Sequence, residues 1–374
     1  MIFFISAKTW HRSASRKPQT ERKAYMKIVV LGGGISTERH VSLVTATSVC
    51  KALRSCGHKA IFVDMFLGIE DYEGDLNELF DAEDGRCGVV AIEDTEPDLQ
   101  AVISSRKMKS PSHLGEHVLD ICALADCVYL GLHGKDGEDG KIQAALDLLG
   151  IPYTGSDCLG SAMAMNKAVT KYIMELNGIL TPEWHDVTYT ENDIDRLLEE
   201  LPVPCAVKTV EGGSSIGVEL PDTREELKEA LKKVLKYGNR VIVEKKIIGR
   251  EMTLPVFNGE SLCAIEIVPP EGGTFDYVAK YQSGDKGAAE ICPADVTAEE
   301  YEAMSKAALK LNAALGLKVY SRTDFILDAE GKPWCLEVNT LPGMTPNSLI
   351  PKAAAVAGMS YPELCNKIVE LSVK

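Results

Sequence analysis

Arg322 and Asp324 lie two residues apart in this chain, and so do Glu337 and Asn339. Both pairs fall in stretches that read as strands. Residues 319–327 and 334–338 are rich in apolar and β-branched side chains, and the Asp-Ala-Glu-Gly-Lys run at 328–332 is turn material. A hairpin centred on Glu330-Gly331 sets Asp324 opposite Glu337 and Arg322 opposite Asn339. Side chains two apart on a strand share a face. Directly opposed carboxylates repel, so a cation is needed between them. Asp, Glu and Asn oxygens are hard ligands suited to Mg²⁺, and an adjacent Arg suits an anion. The alternative is a solvated, charged hairpin. The apolar remainder of both strands and the Pro-Gly loop that follows argue against it.

A second constellation suits phosphate. A strand over 203–208 ends in Lys208 and enters Glu211-Gly-Gly-Ser-Ser-Ile-Gly217, where consecutive N–H groups and the two serine hydroxyls can cradle an anion. A plain hairpin turn is the competing reading. Glu244 and Lys245 sit inside an apolar strand at 241–247, where charge is costly unless paired or bound to a ligand.

The elements that position these groups read as α/β. Residues 27–31 form an apolar strand, followed by Gly32-Gly-Gly34 and a helix over about 40–55. The dinucleotide fingerprint fails, because Thr37 stands at its third glycine position. Glu38 at the helix start serves either the helix dipole or a ligand amine. A strand at 127–132 runs into His133-Gly-Lys-Asp-Gly-Glu-Asp-Gly140, which is neither a Walker A nor an EF-hand loop. His133 at that strand's carboxyl end is either structural or ligand-facing. Residues 66–117 are weakly patterned and are given no chemistry. Residues 272–281, which include Lys280 and Tyr281, lead into 282–290, a small, polar and glycine-containing segment, as in a mobile lid.

Composition narrows the class. The chain has 374 residues, 45% hydrophobic and 25% charged, enough for two or three domains. A formal net charge of -15 argues against non-specific nucleic-acid binding. No apolar run is long enough to cross a membrane. The 11 cysteines, without a CxxC, fit reduced thiols in a cytosolic protein better than disulfides or zinc. Residues 1–25 are basic and unlike the rest, and are expected to be an extension ahead of the fold.

Taken together, the motifs resemble those of D-alanine–D-alanine ligases of the ATP-grasp superfamily. They are GGGISTERHVSL at 32–43, LHGKDGEDGKIQ at 132–143, PYTGS at 152–156, MNKAVTK at 165–171, EGGSSIGV at 211–218, VEK at 243–245, AKYQSG at 279–284, SRTDF at 321–325 and EVNTLPGMTPNSLIP at 337–351. The resemblance implies an α/β (in parts α+β) ATP-grasp fold with a dinucleotide-fold-like parallel sheet at the N-terminus. The expected domains are 26–155, 156–244 and 245–374. It also implies ATP as co-substrate, two Mg²⁺ or Mn²⁺ ions, a cytoplasmic location and often a homodimer. Lys167, Lys208, Ser214 and Lys280 would hold phosphates, and Glu244, Lys245, Ile247 and Glu251 would line the adenine and ribose pocket. Asp324, Glu337 and Asn339 would be the metal ligands. Glu38, with His133 nearby, would bind the first D-alanine, and Arg322 with the Gly343 N–H would form the oxyanion site. Ser348 and Leu349 would hold the second carboxylate, while Tyr281 and Ser214 link the lid to Glu38. Tyr281 and Ser348-Leu349-Ile350-Pro351 favour D-alanine as acceptor, while Pro346-Asn347 departs from the family's usual Ser-His. An ATP-grasp ligase for D-serine, a nicotinamide oxidoreductase and a nucleotide sensor are the alternatives.

Overall fold

In the computed structural model, residues 25–88, 97–213, 217–269 and 288–373 are described. The apolar strand β1 (Lys27–Gly32) is flanked in parallel by β2 (Lys59–Asp64) and β3 (Cys127–Leu130), in the order β2-β1-β3. Parallel strands need crossovers, and helix Arg39–Ser55 supplies the first. The sequence reading assigned no strand at β2. Its apolar run is too short to separate from a helix by periodicity alone.

A second sheet joins β4 (Trp184–Thr188), β5 (Cys205–Thr209), β6 (Val218–Glu219) and β7 (Arg240–Lys245) in the antiparallel order β4-β7-β5-β6. The third contains β8 (Gly249–Phe257), β9 (Glu260–Ser261), β10 (Ile265–Val268), β11 (Ala289–Ile291), β12 (Tyr320–Asp328) and β13 (Pro333–Asn339). Its order is β11-β10-β8-β12-β13, with β9 on β8. Helix Ala298–Leu315 lays Met304, Ala308 and Leu311 on Met252, Leu254 and Phe325 of that sheet.

The chain end returns to the first sheet. Helices Leu349–Val356 and Tyr361–Ser372 bury Ile350, Leu364, Ile368 and Val369 in the same core as β1 and β3. His133 adds a polar tie. Its Nδ1 donates to the Leu341 carbonyl at 2.9 Å, since a carbonyl only accepts. Nε2 therefore accepts from the Thr45 hydroxyl, also at 2.9 Å. Burial pushes the His133 pKa down to about 4; the bond to Leu341 opposes this and Arg322 adds to it.

One expectation from composition fails. Cys50, on the first helix, and Cys87 meet as a disulfide, while the other nine cysteines among the described residues are free. Sequence spacing carries no sign of that pairing, because it is made by the fold. Among the described residues no helix is long and apolar enough to cross a membrane.

Two predictions follow from this packing. A Cβ on Gly249 would stand 2.2 Å from the Leu327 carbonyl oxygen of the neighbouring strand. Gly249→Ala should therefore cost about 1–3 kcal/mol in urea denaturation, and unchanged stability would contradict that contact. The folded state favours neutral His133, so its contribution is full above the unfolded pKa of about 6.5 and is lost as pH falls towards 4. Between pH 7.5 and 5 the wild type should lose about 2 kcal/mol more stability than His133→Gln; equal losses would rule the linkage out.

Candidate active site

Near its turn the β12–β13 hairpin pairs Leu327 with Pro333, Ile326 with Trp334 and Phe325 with Cys335; the next pairs are Asp324 with Glu337 and Arg322 with Asn339. Leu336 is the extra residue of a β-bulge. The consequence shows in burial: Cys335 and Val338 are buried, and Leu336 and Glu337 between them are not. In a regular strand Cys335 and Glu337 would share the core face. The bulge turns Glu337 to the side of Asp324. The pairing expected from sequence is thus present, but by a different route. The turn centres one residue earlier, with the Asp328 N–H donating to the Lys332 carbonyl, and the bulge restores the register at the site.

Cations and donors neutralise this face. Arg322 grips Asp324 in a fork, Nε to Oδ1 at 2.9 Å and Nη2 to Oδ2 at 2.8 Å. The Thr253 hydroxyl donates to Oδ1 at 2.5 Å and the Asn339 amide to Oδ2 at 3.3 Å. Lys167 Nζ lies 3.4 Å from Glu337 Oε2. Two carboxylates and an amide on one face fit a divalent cation held by hard oxygens. Among the described residues no group of three or more His, Cys, Asp or Glu is placed to hold a metal ion by itself. Water and phosphate oxygens would have to complete the shell, which is the usual habit of Mg²⁺.

Above this face, between the second and third sheets, lies a cavity of about 480 Å³. Lys167, Lys208, Glu244, Lys245, Ile247 and Glu251 line it together with Asp324 and Glu337. Every expected nucleotide residue within the described segments is therefore gathered there. Ser214, Lys280 and Tyr281 lie outside the described residues. Lys167 also donates to the Gly212 carbonyl at 2.6 Å, tying the helix start to the glycine loop. Glu244 is 1% exposed and stands between two lysines, with Lys208 Nζ 3.0 Å from Oε2 and Lys171 Nζ 3.0 Å from Oε1. Burial pushes its carboxyl up, yet Lys171 and Lys208 outweigh that and hold it below the ordinary range. Burial pushes Lys171 down, with Glu244 opposing. The sequence reading missed Lys171. Its signal was the i, i+4 spacing from Lys167, which puts both on one face of helix Lys167–Leu176.

At Gly213, part of the cavity's lining, the glycine loop approaches Glu38. Glu38 is buried at the start of helix Arg39–Ser55 and faces two glycines. A Cβ on Gly134 or Gly213 would come within 2.6 or 2.9 Å of its Oε2. Arg39 braces the turn before it, donating to the Gly34 carbonyl and to Asp64, each at 2.5 Å. Glu138 was missed by sequence. It is buried and accepts the Gly134 N–H at 2.9 Å; burial, with Glu38 adding, raises its pKa to about 8. The 66–117 segment also reaches this loop, through His113 Nδ1 at 2.5 Å from Asp136 Oδ2. His133 is brought close, but both ring nitrogens are engaged by Thr45 and Leu341. Its place is to hold the loop carrying Gly343. In that loop the Thr345 N–H donates to the Ser348 hydroxyl at 3.0 Å, and Tyr361 donates to the Met344 carbonyl at 2.7 Å. Ser348 and Leu349 stand at the amino end of helix Leu349–Val356, where the dipole favours an anion.

Residues 27–156 match the family profile described as "D-ala D-ala ligase N-terminus", and residues 173–370 match "D-ala D-ala ligase C-terminus". The chain is 41% identical to a D-alanine–D-alanine ligase of Pediococcus pentosaceus, over 92% of this chain and 97% of that one. It is 38% identical to one from Lacticaseibacillus casei, over 93% and 96%. Among solved structures, a Bacillus anthracis D-alanine–D-alanine ligase complexed with ATP aligns with a TM-score of 0.67 and 29% identity, covering 93% of this chain and 97% of that one. A Coxiella burnetii ligase aligns with a TM-score of 0.69 and 26% identity, covering 94% of each. By sequence and fold, the chain belongs to the D-alanine–D-alanine ligase family.

Proposed function

We propose that the protein joins two D-alanines into D-alanyl-D-alanine at the expense of ATP, giving ADP, phosphate and a building block for peptidoglycan. One observation carries this reading. A single cavity is lined both by Lys167 and Lys208 and by Asp324 and Glu337, whose paired strands also carry Arg322 and Asn339. In this reading the nucleotide lies between the second and third sheets. Lys167 and Lys208 hold its phosphates, and Glu244, Lys245, Ile247 and Glu251 border the base and ribose. Asp324, Glu337 and Asn339 would hold two Mg²⁺ or Mn²⁺ ions, whose charge would neutralise the phosphate oxygens.

The first D-alanine sits with its ammonium on Glu38. Its carboxylate oxygen attacks the γ-phosphorus in line, and ADP leaves. The acyl phosphate is prone to hydrolysis, so water must be excluded. Lys280, Tyr281 and Ser214 take the lid roles that the resemblance implies. The second D-alanine, its carboxylate on Ser348 and Leu349, attacks the carbonyl carbon as a free amine. Arg322 and the Gly343 N–H receive the oxyanion. The two bonds to Asp324 fix the guanidinium plane beforehand. Collapse expels phosphate and forms the peptide bond. No side-chain nucleophile takes part, so no cysteine has to be catalytic. The partners are small molecules; a cytoplasmic homodimer enters this reading only from the family's habit.

The test is ATP turnover with a divalent ion, with and without D-alanine, and the product identified by mass. D-alanine-dependent ADP release with a dipeptide product is expected. Turnover only with D-serine or D-lactate would move the acceptor assignment. Asp324→Asn combined with Glu337→Gln should abolish turnover while the fold survives by circular dichroism. A well-folded double variant with normal activity would refute the metal face.

A further inference from the structure

Lys171 is 0% exposed and does not line the nucleotide cavity, whereas Lys208 and Glu244 do. Its ammonium is held at three points: Glu244 Oε1 at 3.0 Å, the Thr181 hydroxyl at 2.6 Å and the Cys335 carbonyl at 3.4 Å. Two of these do not involve Glu244, so Lys171 keeps its place whatever Glu244 does. Thr181 itself donates to the Cys335 carbonyl at 2.8 Å, and its neighbour Leu180 accepts the Cys335 N–H, also at 2.8 Å. Cys335 directly precedes the bulge that turns Glu337. The ammonium therefore sits where helix Lys167–Leu176, β7 and the metal-face hairpin meet.

Charge counting gives this position a consequence. Two lysines flank one carboxylate. Lys208 reaches the cavity and can turn to a phosphate; Lys171 cannot. When Lys208 leaves, Glu244 and Lys171 remain as a neutral pair. Without Lys171, the same movement would strand a carboxylate that is 1% exposed, which is strongly unfavourable. Lys208 would then be held back by Glu244.

We propose that Lys171 is a positioning residue for nucleotide binding: it balances Glu244 so that Lys208 is released to the phosphates. This rests on the assignment of Lys208 to phosphate above. It acts through Glu244 and makes no contact with substrate.

The experiment compares Lys171→Met, Lys171→Arg, Glu244→Gln, the Lys171→Met/Glu244→Gln pair and Lys208→Ala. It reads the ATP Kd, the KM values for ATP and D-alanine, kcat and thermal melts. Lys171→Met should raise the ATP Kd and KM by about tenfold or more, with the D-alanine KM unchanged, and Lys171→Arg should stay near wild type. In the Glu244→Gln background, Lys171→Met should have no further effect on ATP affinity, because no buried carboxylate is left to balance. A folded Lys171→Met with normal ATP affinity would overturn the proposal, as would an additive loss in the double variant, the mark of a merely structural prop. If Lys171→Met alone does not fold, the double variant against Glu244→Gln still decides, since neither strands a carboxylate. Lys208→Ala separates the two levels. Unchanged ATP affinity there overturns the phosphate assignment, and the proposal with it. A loss there beside a silent Lys171→Met overturns only the role of Lys171.

Discussion

Asp324 and Glu337 face each other across β12 and β13, an arrangement that costs free energy unless positive charge intervenes. Much of the surrounding structure answers that constraint. Arg322 forks onto one carboxylate and Lys167 approaches the other. Lys167 comes from a helix outside the third sheet, so neutralising the hairpin also draws the nucleotide-binding elements towards it. The same logic repeats one layer away, where Glu244 stands between Lys171 and Lys208. Buried opposite charges are weak evidence for stability. In the proposed reaction they would serve as a stock of cations that polyphosphate can recruit.

A second constraint is the placement of the Gly343 loop, whose N–H would meet the reacting carbonyl in the proposed reaction. Gly343 lies in a loop with no regular structure, so its N–H must be aimed from outside. His133 holds Leu341, Tyr361 holds Met344, and the last two helices bury their apolar faces against the first sheet. Glu38 is set by the same sheet through the turn that Arg39 braces. The same core and its polar ties thus set both Glu38 and the Gly343 loop, which the proposed reaction uses for the first ammonium and the oxyanion. Preorganisation of this kind gives electrostatic stabilisation its value in a water-excluded site.

Local patterns made the hairpin, the glycine loops and most helices readable from sequence. Thr297 with Glu300 closes a capping box, a helix-start spacing that a sequence can show. Groups defined by long-range contact were harder to read. Lys171 owes its role to residues on other elements, and Glu138 looked like one acid among several in a polar loop. The disulfide partners Cys50 and Cys87 stand far apart along the chain. The edge strand Trp184–Thr188 is largely exposed and shows no clean alternation. The Leu336 bulge left no mark in composition, and an error in the turn centre happened to cancel it.

The central claim is that the carboxylate of the first D-alanine becomes phosphorylated before the peptide bond forms. D-alanine labelled with ¹⁸O in both carboxylate oxygens tests it directly, with the released phosphate read by mass. Transfer of one labelled oxygen into phosphate for each dipeptide formed is the predicted result, since the bridging oxygen leaves with phosphorus. Dipeptide formed with unlabelled phosphate would contradict the account.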